Sequence, residues 1–505
     1  IGTNDHVAWS HTVSVPYRFT PYELKLVPGN PTAYLWDGTA RAMKTKTVTV
    51  ESRQPDGSLI SAVHTFYETH FGPVINFPGA LMPWTPEVAY AINDANEDNF
   101  RALEHFAEVN QAETAQEVYA ILARHVGIPW VNTIAADDRG IAFYADMSVV
   151  PHTLNDKLSA CATAVGEALK ALARLPVLDG SRSACQPGTD ADAPVPGILG
   201  AGHLPHMFRR DYVANSNNSH WIANPHQPLE GYPYVTGAER TPLSPRARLG
   251  LLMLRERLEE DKDTFSIEEL QETVFNNRQY VGELVRDDLV SVCKQTPMIP
   301  MQDGTVVDVS GACPVLQSWD LRANLDSKGA HVFREFVNAA YSSPGFWARP
   351  FDYTKPVDSP SGLNVVDPNV RQGLAASVRK LTNAQVALDA RLGDIQRSKR
   401  GPLSIPIHGG SEHGIFNYVS SPFNATERGY TDTVYGASFV ITATFDGIGK
   451  PRASALLTYS LSTNPASPYY ADQTQMYSQK QFAVMHLDES SIAANLIMPP
   501  YQVHD

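Results

Sequence analysis

Residues 211–221 read Asp-Tyr-Val-Ala-Asn-Ser-Asn-Asn-Ser-His-Trp, an amide-rich run entered from apolar residues and closed by Trp221. Short amide side chains crowded beside an aromatic suit a backbone that turns sharply while aiming a carboxamide inward. A carboxamide fixed in that way stabilises the negative oxygen that develops when an amide carbonyl is attacked. An Asx-rich surface turn has the same composition, so the run alone leaves both readings open. Its surroundings decide between them.

Upstream, Val7, Trp9, His11, Val13 and Val15 alternate with Ala8, Ser10, Thr12 and Ser14, the pattern of a half-buried strand stopped by Pro16. Lys44 to Val50 and Ile60 to Tyr67 flank Pro55-Asp56-Gly57 and predict a hairpin. Helical spacing runs from about Asp98 to Arg124, and the capping box Thr114-x-x-Glu117 inside it predicts two helices, not one. Val131 to Ala136 and Ile141 to Tyr144 return to strand. Residues 179–205, rich in Gly, Pro and Asp, read as a long surface loop.

Downstream, Ser244-Pro245 predicts an N-cap with proline at the first position of a helix reaching Leu254. A second capping box, Ser266-x-x-Glu269, opens a helix predicted to continue towards Val292. Phe333, Phe336, Val337, Ala340 and Tyr341 share one helical face, and a further helix is predicted from Val370 to Arg391. Ser438 to Phe445 and Ala453 to Ser460 form a hairpin around a loop carrying Asp446-Gly447. Strands, helices, a helix-rich excursion and strands again suit one α+β domain over residues 1–505, with a helical insertion at about 305–395.

Composition narrows the function. The 505 residues are 43% hydrophobic and 19% charged, enough to bury a large core. A net charge of -14 without a basic stripe argues against a nucleic-acid partner, and no apolar run has the length of a membrane span. The four cysteines permit three connectivities, and their spacing favours two local pairs, Cys161–Cys185 and Cys293–Cys313. No zinc motif emerges, since His203-x-x-His206 lacks a third ligand nearby. The chain begins at Ile1, with neither a methionine nor a signal-like segment, and is expected to be a processed piece or a fragment.

The Asn-Ser-Asn run, with Ala8-Trp9-Ser10-His11-Thr12-Val13 near the start and Tyr470-Ala471-Asp472-Gln473-Thr474 near the end, resembles the penicillin acylase family of N-terminal-nucleophile hydrolases. The resemblance implies a four-layer αββα sandwich. It also implies a Ser, Thr or Cys at the head of the larger subunit, whose hydroxyl or thiol attacks an amide while its own α-amine acts as base. An α-amine titrates near ~7.7–8.0 and accepts a proton at neutral pH without a histidine. Ile1 is no nucleophile. The resemblance places a nucleophilic Ser a few tens of residues upstream, so this chain alone is expected to be inactive. Its expected partners are a small α subunit and the N-terminal segment of the large subunit that bears the Ser.

The same resemblance assigns roles residue by residue. Val13 matches the position whose backbone N–H contributes to the oxyanion hole. Asn217 matches the side-chain amide donor, with Asn215 and Asn218 open as alternatives within the run. Arg246 matches an arginine that orients that amide or the leaving group; a solvated cation in a first helical turn opposes the dipole and needs such a reason. Trp130, in Ile128-Pro129-Trp130-Val131-Asn132, matches a residue lining the acyl pocket, although plain core packing fits it as well. No cofactor is expected. The calcium site of classical penicillin G acylases needs carboxylates just after the Val13 strand, where this chain has Ser14-Val15-Pro16-Tyr17-Arg18. Leu392-Gly393-Asp394-Ile395-Gln396 and Ile405-Pro406-Ile407-His408-Gly409-Gly410 recur in the family without an assignable step. Gly409-Gly410-Ser411 does not complete a nucleophile elbow.

The implied function is the large subunit of an amidohydrolase that removes an acyl chain from an amine: an N-acyl-homoserine lactone, a penicillin or an acylated cyclic peptide. The family's exported habit and the even cysteine count point to a periplasmic or secreted protein. The alternative is a non-catalytic binding or scaffold protein of the same fold that has lost its nucleophile, for which Ile1 is the support.

Overall fold

The computed structural model describes residues 1–260, 264–411, 413–433, 435–445, 451–499 and 501. A five-stranded sheet runs in the order Gly2–Thr3, Val7–Val13, Val131–Asp137, Ala142–Ala145, His206–Arg209. Val7–Val13 pairs antiparallel with Val131–Asp137 along its whole length, Val13 opposite Val131 and Val7 opposite Asp137. On its other side Gly2–Thr3 covers only Trp9 and Ala8. The alternation read from the sequence is realised, since Val7 and Trp9 are buried while Ala8 and Ser10 are not.

A second sheet is built around Phe19–Val27 and Val88–Asp94, and one edge carries the predicted hairpin as Lys44–Arg53 paired with Leu59–Thr69. Val7 and Trp9 of the first sheet, Tyr22, Leu24 and Ala91 of the second, and Val118 and Leu122 of a covering helix share one apolar core. The covering helices are two, Arg101–Val109 and Ala115–His125, as the capping residue demanded. Thr114 Oγ1 accepts the Glu117 N–H at 3.0 Å, but the Glu117 carboxylate takes the Glu113 N–H at 2.7 Å, so the box closes one residue early.

Residues 281–415 contribute a separate core. Helices Ala330–Ala340 and Pro368–Asn383 pack together there, and Phe333, Phe336 and Val337 are buried. Val285 and Leu289 of the preceding helix join the same core. Three helix limits differ from the expectation. The helix from Pro245 runs on to Glu259, held late by an Arg255–Asp358 ion pair. The helix opened by Ser266 does not continue to Val292; it ends at Phe275, and a new one spans Tyr280–Gln295. The break lies at Asn277, whose φ of 54° is left-handed and whose amide is drawn into contacts with Asn324 and His408. The helix from Pro368 stops at Asn383, two residues before Gln385 turns left-handed at φ 57°.

The two motifs without a catalytic step interlock. Gln396 Nε2 donates to the carbonyls of Ile407 and Gly409 at 2.8 and 2.9 Å, while its Oε1 accepts from Arg334 at 2.7 Å. His408 Nε2 lies 2.7 Å from the Tyr477 carbonyl and therefore carries the proton there, leaving Nδ1 to accept from the amides of Asn277 and Asn417, each at 3.2 Å. These groups are buried, so every bond replaces a desolvated polar atom that would otherwise be unpaired. The motifs are structural knots.

Both local disulfides form, Cys161–Cys185 and Cys293–Cys313, closing 24 and 20 residues of separation. Strands Phe439–Phe445 and Pro451–Leu457 pair antiparallel near the end, and the Asp446-Gly447 loop lies outside the described residues. Among the described residues no helix is long and apolar enough to cross a membrane.

Candidate active site

The Asn-rich loop folds so that two amides build the turn and the third is left to point. Asn215 Oδ1 accepts the Asn217 N–H at 2.8 Å and its Nδ2 donates to the Asn218 carbonyl at 3.0 Å. Asn218 Oδ1 accepts the Ser216 N–H at 2.9 Å, and its Nδ2 donates to the Ser219 carbonyl. Asn217 occupies the left-handed region at φ 63°, which Asn tolerates better than most residues, and this throws its side chain out of the loop. Its Nδ2 donates to the Val13 carbonyl at 3.1 Å and to Thr12 Oγ1.

Arg246 fixes which end of that amide faces the strand. Its guanidinium donates to Asn217 Oδ1 at 2.8 Å and to the Ser216 carbonyl at 2.6 Å. A guanidinium only donates, so the oxygen must face Arg246 and the N–H groups must face Val13. Among the described residues no carboxylate forms an ion pair with Arg246, and burial holds its pKa below the ordinary arginine value. The helix beneath it begins with Ser244, whose hydroxyl accepts the Ala247 N–H at 3.2 Å. Buried Arg248 anchors that helix, donating to the carbonyls of Val357 and Pro360 at 2.7 and 2.9 Å and to the Tyr280 hydroxyl at 3.1 Å.

Register says where the Val13 N–H points. Ser14 N–H donates to the Trp130 carbonyl at 3.2 Å, so the even-numbered residues bond to the Val131–Asp137 strand. In an antiparallel ladder the odd-numbered residues then direct N–H and C=O to the opposite edge. The bond from Asn4 N–H to the Val7 carbonyl, 3.0 Å, lies on that edge and agrees. Beyond Trp9, no strand pairs with this edge among the described residues. The Val13 N–H and the Asn217 amide thus lie at one edge of one strand end. Asn132 lies beneath them, its Oδ1 taking the Tyr144 hydroxyl at 2.7 Å and its Nδ2 reaching Asn215 Oδ1 at 3.3 Å.

Trp130 is half exposed at the same end of the sheet, with the Arg18 guanidinium 6.0 Å from its ring. His11, one strand position from Thr12, is neutral and only weakly basic: burial pushes it down to about 4, and it packs edge-on against Phe106. An apolar cavity of 400 Å³ adjoins the loop, with Ala8, Ser10 and Ile134 on one side and Leu251, Phe416 and Ile441 on the other. Asn132, Tyr144, Arg18 and Asp146 escaped the sequence reading. Polar residues in a mostly apolar strand pair were a usable signal for the first two. Among the described residues no group of three or more metal-ligating side chains gathers, and Ser14 to Arg18 offers a guanidinium, not a carboxylate.

An amide donor and a strand-end N–H therefore meet at one open strand edge, a pair of donors of the kind that suits a developing oxyanion. The sequence profile of the penicillin amidase family matches residues 1–494, and the chain belongs to that family. Aculeacin-A acylase of Actinoplanes utahensis is 44% identical over 510 residues, covering 100% of this chain. The acyl-homoserine lactone acylase PvdQ of Pseudomonas fluorescens (strain Pf0-1) is 36% identical over 509 residues, again covering 100% of this chain. The chain spans 63% of the length of each of these two relatives. A thermostable penicillin G acylase from Alcaligenes faecalis shares the fold, with a TM-score of 0.62 at 16% identity, covering 100% of this chain and 89% of that one.

Proposed function

We propose that this chain is most of the large subunit of an acylase that hydrolyses the amide between an acyl chain and an amine. An N-acyl-homoserine lactone or an acylated cyclic peptide is the favoured substrate class, and a penicillin is a further one. The observation that carries the reading is the Asn217 amide, turned by Arg246 so that its N–H groups share an edge with Val13. A serine heading a preceding polypeptide segment enters along that edge, its hydroxyl beside the Val13 N–H. Attack on the substrate carbonyl forms the serine–carbon bond. The serine proton passes to its own α-amine, and the carbonyl oxygen takes up negative charge between the Val13 N–H and the Asn217 amide. Collapse expels the amine, which takes that proton, and water releases the acid by the same route. Arg246 contributes by polarising the Asn217 amide and by placing a positive charge behind the oxyanion. Trp130, half exposed at the same end, borders the path of the acyl chain.

The partners under this reading are a small α subunit and the serine-bearing segment. The two disulfides favour an oxidising compartment, periplasmic or secreted. Mass spectrometry of the purified active protein should find a companion polypeptide headed by Ser. The 505 residues alone should release no fatty acid from an acyl-homoserine lactone, whereas the assembled protein should release it. Hydrolysis by the isolated chain, or none by the assembled protein on any of the three substrate classes, would overturn the reading, the second result in favour of a scaffold.

A further inference from the structure

Past Val13 the strand meets Pro16 and must turn, yet its end is tied down. Arg18 reaches back and donates through one nitrogen to the Trp130 carbonyl at 2.8 Å, the Ser14 carbonyl at 3.1 Å and the Ser14 hydroxyl at 3.3 Å. Ser14 N–H shares the same Trp130 carbonyl. One cation therefore joins the residue after Val13 to the residue before Val131, across the pair that closes the sheet at the site.

The arrangement is costly for a mere surface tether. Burial lowers the Arg18 pKa, and Asp146 is the charge that opposes this effect. Asp146 is fully buried, and neither of its oxygens has a hydrogen-bond partner; Arg18 Nε, also buried, has none. Burial pushes the carboxyl up to about 8, an effect that the Arg18 charge opposes in part. A half-buried cation that spends its donors on two main-chain carbonyls, instead of on a carboxylate, fixes backbone shape. The peptides fixed are those that follow Val13.

We infer that Arg18 is a positioning residue: by clamping the Ser14 and Trp130 carbonyls it sets the direction of the Val13 N–H at the oxyanion position. The inference rests on the proposed acylase site. It requires that removing the clamp weaken binding of the tetrahedral, negatively charged state while leaving ground-state binding nearly intact.

The test uses the assembled enzyme and a series of linear alkylboronic acids. Their adduct with the serine hydroxyl places a charged oxygen where the oxyanion forms, so they report on the transition state, whereas the product fatty acid reports on the acyl pocket alone. In Arg18→Gln, boronate affinity and kcat should fall together by at least about tenfold, with KM and fatty-acid affinity held within about twofold. Arg18→Lys keeps a charge and one donor for a carbonyl and should recover part of both losses. Unchanged boronate affinity in Arg18→Gln would overturn the inference, as would an equal weakening of boronate and fatty acid. Where Arg18→Gln does not assemble, Arg18→Lys decides alone: a selective loss of boronate affinity supports the clamp, and none refutes it. Asn217→Ala runs beside them. Wild-type boronate binding in Asn217→Ala would instead remove the proposed site itself, so the two failures are distinguishable.

Discussion

Two polar clusters of this molecule, one buried around His408 and one at the surface around Asn217, use the same residue types to opposite ends. Around His408, the amides of Asn277 and Asn417 and the Tyr477 carbonyl engage both ring nitrogens inside the protein. Around Asn217, the amide and the neighbouring Val13 N–H face an edge that carries no further strand among the described residues. A closed network holds two segments together and does nothing else. A network held rigid from behind, whose forward amide rests on a carbonyl and a hydroxyl at an open strand edge, can turn to a charge that arrives later. Amides and a positively charged or ring nitrogen occur in both, so composition does not tell them apart; what each donor faces does.

The comparison breaks most decisively at Asn217. In the assembled enzyme Asn217→Ala should lower kcat by roughly 10²–10³, the usual cost of removing one oxyanion donor, with little change in stability. Asn215→Ala should instead act mainly through the shape of the loop. Near-normal turnover in Asn217→Ala would erase the distinction between the two clusters.

The closed cluster should behave the other way. Gln396→Ala removes a donor from each of the buried Ile407 and Gly409 carbonyls and should cost about 3 kcal/mol of stability, at about 1–3 kcal/mol per carbonyl. The kcat of whatever assembles should stay within about twofold. Denaturant titration and turnover on the same preparation read both; a kcat loss without a stability loss would bring the knot into the chemistry.

Acid should sharpen the picture by a smaller amount, because both halves hold buried neutral histidines. Burial pushes His408 and His105 down to about 3 and His331 and His11 to about 4. Between these values and the ordinary histidine pKa of about 6.5 the unfolded chain binds more protons than the folded one, so stability is full above ~6.5 and is lost as pH falls towards 4. Asp146, raised to about 8, acts with the opposite sign, since its folded form keeps a proton that the unfolded form gives up as pH rises. Four histidines outweigh one carboxyl. The thermal midpoint followed by circular dichroism should drop between pH 6.5 and 4, and a flat or rising midpoint would contradict these burial assignments.

The fold class and most element positions were legible because periodicity and caps are local: Thr114, Ser244 and Ser266 each mark a helix start that the structure keeps. The break at Asn277 was not, because the contacts that hold its left-handed turn come from Asn324 and His408, far along the chain. Val13, Asn217 and Arg246 were legible through the family resemblance, and the structure brings them together. Arg18 and Asp146 were invisible for a physical reason. An arginine after a Pro-Tyr turn reads as a surface charge until its carbonyl partners are known.

Each of the two largest hydrophobic cores carries its own covalent stitch, Cys161–Cys185 in one and Cys293–Cys313 in the other. Loops of this size withhold about 3 kcal/mol of freedom from the unfolded chain per bond. A host that keeps thiols reduced would therefore weaken the two halves separately, and neither stitch could compensate for loss of the other. Production of this protein in quantity is in the first place a problem of supplying a thiol oxidant during synthesis, before any question of companion subunits arises.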